Sequence, residues 1–316
     1  MSSLADRVLA GDLRAIARAI SVIEDEERAT DALVKALFPR SGRAYIVGVT
    51  GPPGAGKSTL VDRLTAEYRQ RGSTVGIIAV DPTSPFSGGA VLGDRVRMQA
   101  HSGDRGVFIR SMATRGQLGG LSRGAADAAM VLDASGKDIV FIETVGVGQD
   151  EVDIVRTADV SVIVLVPGTG DDVQAMKAGI MEIGDVFVIN KADHEGSDRT
   201  VASIEAMLSL QTFATDQWKP PVLRTVATAD TGIGEVVDRL DAYRSRSRGA
   251  WQARRRSQAH GRLQEILARR FVQFVEHDLL APADWEAYTD RIAGRELDYY
   301  SAASDILARV LGPSRR

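Results

Sequence analysis

"GPPGAGKST", residues 51–59, is the stretch on which the fold turns. It fits G-x-x-x-x-G-K-[ST] with Gly51, Gly56, Lys57 and Ser58. An apolar run, "AYIVGVT" (44–50), precedes it, and the helical "STLVDRLTAEYRQRG" (58–72) follows. Strand, glycine loop and helix in that order make a phosphate cradle. Glycines let backbone N–H groups curl around phosphate oxygens, and the helix N-terminus adds a partial positive charge. Lys57 reaches toward the β- and γ-phosphates and the Ser58 hydroxyl toward Mg²⁺. Pro53, Gly54, Ala55 and Thr59 complete the cradle. The stretch predicts a nucleoside triphosphate site.

Outward from it, short apolar runs alternate with helical stretches: "TVGIIAV" (74–80), "GVFIR" (106–110), "DIVFIE" (138–143), "VSVIVLV" (160–166), "DVFVIN" (185–190) and "PVLRTVA" (221–227). Val/Ile runs separated by helices indicate strands buried on both faces of a mostly parallel sheet. The expected fold is α/β, a P-loop NTPase with a mostly parallel central sheet flanked by helices over residues 43–245. Residues 1–42 form an N-terminal helical extension. Leu4, Val8, Leu13, Ile16 and Ile20, then Leu33, Val34 and Leu37, suggest two amphipathic helices broken near "EDEE" (24–27). Residues 246–316 form a C-terminal helical extension. The arginine-rich "YRSRSRGAWQARRRSQAHGR" (243–262) is read as a solvated helix face or linker rather than a nucleic-acid contact. Beyond it, Leu263, Ile266, Leu267, Phe271, Phe274 and Val275 make an apolar stripe that either packs on its own domain or forms a dimer interface.

The 316 residues can bury a large core, and 44% hydrophobic with 26% charged is an ordinary globular balance. The net charge of −3 gives no reason to expect nucleic acid or an anionic membrane as partner. With no cysteine, disulfides, thiolate metal sites and thiol nucleophiles are excluded. No signal-peptide h-region and no run of 18 apolar residues occurs, so the expectation is a soluble, cytoplasmic protein.

The base is read at "VFVINKAD" (186–193), which ends a buried run with N-K-x-D. A carboxylate at Asp193 can accept from guanine N1–H and the exocyclic amine together, whereas adenine offers no such donor pair. Asn190 braces the loop and the Lys191 stem covers a face of the base. "VATA" (226–229), with Ala227 and Thr228, is expected to close over guanine with backbone N–H.

Acids stand at other strand tips. "AVDPTSPFSGGAVLGDRVRM" (79–98) leaves a strand at Asp81 and carries Asp94, and "FIETVGVGQD" (141–150) places Glu143 before Gly146 and Gly148. Asp81, Asp94 and Glu143 could gather near Mg²⁺; Asp94 could equally cap the helix that "GDRVRM" suggests. Glu143 takes the Walker-B position and Gly146 the γ-phosphate-facing hinge, while Gln149 has a water-positioning role only by analogy. "VPGTGDDVQAMKAG" (166–179) is another glycine-broken strand exit, with Asp171, Gln174 and Lys177, and its plain alternative is a strand-to-helix connection. Arg110, Arg115 and Arg123 flank "SMATRGQLGG" (111–120) and could pair with phosphate or remain surface residues.

Together "GDLRAIARAIS", "GPPGAGKST", "DPTSPFSGGAVLGDR", "FIRSMATRGQLGGL", "ETVGVGQDE", "GTGDDVQAMKAGIMEI" and "NKAD" span most of residues 10–195. In this combination the chain resembles the methylmalonyl-CoA mutase-associated GTPases of the MeaB/ArgK type, with the methylmalonic aciduria type A protein, in the SIMIBI class. The C-terminal "GRELDYYSAASDIL" (294–307) is similar to the family's dimerisation extension, with Tyr299 where proline is usual. The resemblance implies a homodimeric GTPase that binds an adenosylcobalamin-dependent acyl-CoA mutase, gates its cofactor loading and protects it. It implies GTP/GDP and Mg²⁺ as ligands, with Lys57 and Ser58 on phosphate and metal. Asp81, Asp94 and Glu143 are then the metal and switch acids, and Lys177 lies in a loop coupling the partner to hydrolysis. Nickel-maturation relatives use cysteine or histidine clusters, whereas His101, His194, His260 and His277 are scattered here. No D-x-H-x-x-G cobalamin motif occurs, so cobalamin is expected on the partner. Three rival readings are a small-molecule P-loop kinase, a scaffold with a structural GTP site, and service to an isobutyryl- or ethylmalonyl-type mutase.

Overall fold

The computed structural model describes residues 2–25, 29–81, 101, 103–113, 120–144, 157–168, 184–214, 217–246 and 248–311. The chain divides into two compact units, Met1–Gln252 and Ala253–Arg316.

In the first unit every apolar run singled out in the sequence contributes a strand. These are β1 (Tyr45–Thr50), β2 (Val75–Asp81), β3 (Val107–Ala113), β4 (Ile139–Glu143), β5 (Val160–Leu165), β6 (Val186–Ile189) and β7 (Val222–Arg224). All pair in parallel, in the order β3-β2-β4-β1-β5-β6-β7. Because side chains alternate across a strand, each run feeds two cores. Tyr45, Val47, Val49, Ile77 and Phe141 pack with Leu60, Leu64 and Tyr68 of α4 (Lys57–Gln70) and Val236, Val237 and Leu240 of the later helix Ile233–Arg246. On the opposite face Ile78, Val80, Val140 and Ile142 meet Ala128 and Leu132 of α5 (Gly120–Ala134), together with the N-terminal helices. Ile163, Leu165, Phe187 and Ile189 pack on α6 (Ser197–Ser209). The helix Ile233–Arg246 is α7.

The N-terminal segment forms three helices where two were expected: α1 (Leu4–Leu9), α2 (Leu13–Glu24) and α3 (Thr30–Leu37). Gly11, at φ 76°, breaks the first expected helix. Asp12 then restarts it by accepting from the N–H groups of Arg14 and Ala15, an N-cap that an apolar periodicity does not reveal. Ile16, Ala19, Ile20 and Ile23 of α2 are buried on one face.

Aspartates fasten the amino edge of the sheet. Asp138, Asp159 and Asp185 each directly precede a strand, and each accepts an N–H from a neighbouring strand or the residue that enters it: Thr74 at 2.8 Å, Ile46 at 3.0 Å and Ser161 at 2.8 Å. Asp133, at the end of α5, accepts from the N–H groups of Gly42, Arg43 and Ala44 where the chain enters β1. A strand slipped by one residue would lose these bonds as well as its buried face.

The second unit has a small core of Val275, Leu280, Tyr288 and Ala302, flanked by Phe271, Ile292 and Ile306. Its helices are α9 (Pro282–Ala293) and α10 (Tyr299–Leu311). The 27-residue α8 (Arg248–Phe274) takes the greater part of the arginine-rich stretch as helix. Arginine is a good helix former, so its density there does not interrupt the backbone. Among the described residues no helix is long and apolar enough to cross a membrane.

Replacing Asp133 by Ala leaves three N–H groups at the entry to β1 without their acceptor. Asp133→Ala should lower unfolding free energy by about 2–4 kcal/mol, and Asp133→Asn by about half as much, as read from urea midpoints at constant slope.

Candidate nucleotide site

A parallel sheet delivers the chain to the same edge after every strand, and ligands of such sheets sit outside the carboxyl ends. Gly51 follows β1, Asp81 ends β2, Glu143 ends β4, Asn190 follows β6 and Thr225 follows β7. Topology alone therefore brings Gly51, the end of β2, Glu143 and Asn190 to one edge of the sheet.

The loop after β1 depends on glycine. Gly51 has φ 145°, and a Cβ there would lie 2.0 Å from the Val164 carbonyl oxygen of β5. Gly56, at φ 82°, is the N-cap of α4, and a Cβ would meet Asn190 Nδ2 at 2.5 Å. No side chain caps α4 at this end, and the N-terminus of a helix favours an anion. Lys57, 6% exposed, curls its ammonium over the loop, donating to the carbonyls of Gly51 (2.7 Å) and Pro52 (3.0 Å). Pro53 and Gly54 are exposed at the crest, and Ala55 is buried beneath it.

Beside the lysine, the buried Ser58 hydroxyl donates to Glu143 Oε1 at 2.6 Å. Hydroxyl and carboxylate oxygens in contact are a hard donor pair of the kind that suits Mg²⁺. One residue beyond the end of β4 is a neutral contact with the last residue of β1: Thr144 Oγ1 donates to Thr50 Oγ1 at 3.0 Å, and Thr144 N–H donates to the Val49 carbonyl at 3.1 Å. The sequence reading did not single out this threonine pair. Threonine is an ordinary strand residue, and the only available signal was its position next to Gly51 and Glu143.

Asn190 is the hub of the opposite side. Its Nδ2 donates to the Ala55 carbonyl (2.9 Å), and its Oδ1 accepts from Thr225 Oγ1 (3.1 Å) and Ala227 N–H (3.2 Å). One buried amide thus ties the phosphate loop, the end of β6 and the loop after β7 together. Ala227 N–H is thereby committed to Asn190, so this donor of the expected base-closing loop holds the loop itself; Thr228 is exposed. Lys191 turns at φ 55°, and Asp193 beyond it is exposed.

Asp94, Gly146, Gln149 and Lys177 lie outside the described residues, as does the side chain of Asp81. The described residues nearest the end of the 82–100 stretch are fastened to α4. His101 Nε2 lies 3.2 Å from the Asp62 carboxylate, and Arg69 donates to Asp104 at 2.7 and 3.1 Å. The bonds from Arg69 hold the Asp104 carboxyl below its ordinary range. Arg110, weighed as a phosphate ligand, instead pairs with Glu24 and Ser21 of α2.

Removing the Asn190 amide should loosen both sides of the site at once. Asn190→Ala is expected to weaken guanine-nucleotide binding by about 10- to 100-fold, the equivalent of roughly 1.5–3 kcal/mol, as measured by titration calorimetry.

Comparison with known proteins bears on the whole chain. The family model described as "Methylmalonyl Co-A mutase-associated GTPase MeaB" matches residues 16–278. A Pyrococcus abyssi protein with a provisional GTPase designation is 49% identical over 316 residues, 99% of this chain and 97% of that one. The GTPase ArgK of Escherichia coli is 33% identical over 303 residues, 93% of this chain and 87% of that one. Among solved structures, one titled "LAO/AO transport system kinase" superposes with a TM-score of 0.72 over 98% of this chain and 97% of its own, at 24% identity, a likeness of fold. A phosphate loop facing an N-K-x-D strand end, on a chain matched along most of its length, makes this protein a P-loop GTPase that belongs to the MeaB family of methylmalonyl Co-A mutase-associated GTPases.

Proposed function

We propose that this chain is a GTP-hydrolysing chaperone that gates adenosylcobalamin loading into, and protects, an acyl-CoA mutase of the methylmalonyl type. The observation that carries the nucleotide part is the buried Asn190 amide joining the phosphate loop to the N-K-x-D strand end. It ties the phosphate loop to the strand end that leads to Asp193, which supports reading a polyphosphate cradle and a base-reading carboxylate side by side. Family membership supports the mutase as partner.

In this reading the backbone donors of 51–59 and Lys57 hold the phosphates and oppose the charge that builds on them as the γ-phosphoryl leaves. The Asp193 carboxylate accepts from guanine, the Lys191 stem lies along the base, and Ala227 and Thr228 border it. Ser58 and Glu143 would hold Mg²⁺, with Asp81 and Asp94 as further acids. The metal, when bound, neutralises phosphate charge. Gly146 would face the γ-phosphate, and partner contact would act on hydrolysis through residues 82–95 and 168–179, including Lys177. The C-terminal helices would pair two copies. Leu263, Leu267 and Phe274 of α8 recur along one helical face and are 66%, 65% and 43% exposed, an unusual outlay for aliphatic and aromatic side chains. The protein would work in the cytoplasm, with neither nucleic acid nor membrane as its partner.

Two measurements test this. Asp193→Asn replaces the acceptor for guanine N1–H and amine by an amide whose N–H suits a carbonyl instead. The variant should lose about 10- to 100-fold in GTP affinity and gain affinity for xanthosine triphosphate; unchanged GTP binding would remove Asp193 from base recognition. Adding purified methylmalonyl-CoA mutase should raise the steady-state GTPase rate. An unchanged rate at saturating mutase sinks the coupling, and labelled phosphate on a small-molecule acceptor would favour a kinase instead.

A further inference from the structure

Within the buried layer at the carboxyl edge, Thr50 and Thr144 are polar residues given no part in holding a ligand above. They are 1% and 2% exposed, and their strand neighbours Val49, Ile142 and Val164 are aliphatic. Valine would fill either position with nearly the same shape and no polar atom to satisfy, so packing gives no reason for two hydroxyls. What the hydroxyls add is a direction. The bond from Thr144 Oγ1 to Thr50 Oγ1 (3.0 Å), with that from Thr144 N–H to Val49 O (3.1 Å), fixes both the backbone and the side chain of Thr144 to the end of β1. The two residues stand next to the groups on which the site depends. Thr50 precedes Gly51, whose carbonyl holds the Lys57 ammonium, and Thr144 follows Glu143, whose carboxylate holds Ser58.

We infer that the Thr50–Thr144 hydroxyl pair is a positioning device for hydrolysis, holding the Glu143–Thr144 backbone against the end of β1, where the phosphate loop begins. The inference rests on the GTPase reading of the site. Neither threonine touches nucleotide in this account; each acts through its neighbour. An isolated neutral hydrogen bond adds little to folding, because water would satisfy the same hydroxyls in the unfolded chain. A displacement of about 1 Å at a reacting centre, by contrast, can cost about 100-fold in rate. The pair should therefore register in turnover and barely in ground-state nucleotide affinity.

The test is a cycle on the full-length protein, reading kcat for GTP, Kd for GDP and Tm. Thr144→Val and Thr50→Val each strand one buried hydroxyl and should melt about 2–4 °C lower. The double variant Thr50→Val/Thr144→Val strands none and should recover Tm. All three should lose about 10- to 100-fold in kcat with GDP affinity within about threefold of wild type, while Thr144→Ser, which keeps the bond, should restore most of the rate. A purely structural role predicts that kcat returns with Tm in the double variant, and that result overturns the inference. Should the double variant not fold, the single valine variants compared with Thr144→Ser decide the matter: equal kcat in Thr144→Val and Thr144→Ser overturns it. An active wild type with an equally active Thr144→Val rejects the pair alone, whereas a wild type without GTP turnover removes the site reading and this inference together.

Discussion

The contact from Asn190 Nδ2 to the Ala55 carbonyl is the constraint on which the rest of the site depends. A glycine loop that can cradle phosphate is by construction short of its own fastenings, because its donors face the ligand. Here the loop is seated from outside. Asn190 reaches it from β6, and Gly51 lies so close to β5 that a Cβ would meet the Val164 carbonyl at 2.0 Å. The amide also accepts from Thr225 and Ala227, so a buried polar side chain that would otherwise be costly is satisfied at both ends. The phosphate loop, the N-K-x-D strand end and the loop after β7 are therefore seated by one residue.

Much of this was legible in the sequence, for physical reasons that also explain what was not. The strands could be read because a parallel sheet covered on both faces demands unbroken Val/Ile runs, as in "VSVIVLV" and "DIVFIE". The phosphate loop could be read because its glycines are dictated by backbone geometry. Single polar residues acting across the sheet left no periodic trace. Asp138, Asp159 and Asp185 look like ordinary loop acids until the neighbouring strands are in place. The hydroxyls of Thr50 and Thr144 are likewise indistinguishable from good strand formers. The break at Gly11–Asp12 was hidden by an apolar spacing that runs on through it. The commitment of Ala227 N–H to Asn190 concerns a backbone donor, whose bonds no residue type encodes.

The C-terminal unit follows a different logic. A segment of this size encloses little surface, and its core rests on a few side chains such as Val275, Leu280 and Tyr288. Leu263 and Leu267 on α8, and Tyr299 and Tyr300 at the start of α10, are left largely exposed. Self-association, as proposed above, would bring apolar area under cover that the unit cannot bury alone. In that proposal the reason for a second copy is the small size of the core, independently of nucleotide chemistry.

The aspartates along the amino edge have a further consequence. Asp133, Asp138, Asp159 and Asp185 collect negative charge on one side of the sheet. The opposite side presents Lys57 and the uncapped N-terminus of α4. That side also carries the Glu143 and Asp193 carboxylates, so the two edges differ less in charge than in task. The amino edge holds the register of the strands, and the carboxyl edge is left to the ligand. A change of side chain at one edge therefore need not disturb the other, and the loops of the site can differ between relatives over an unchanged frame.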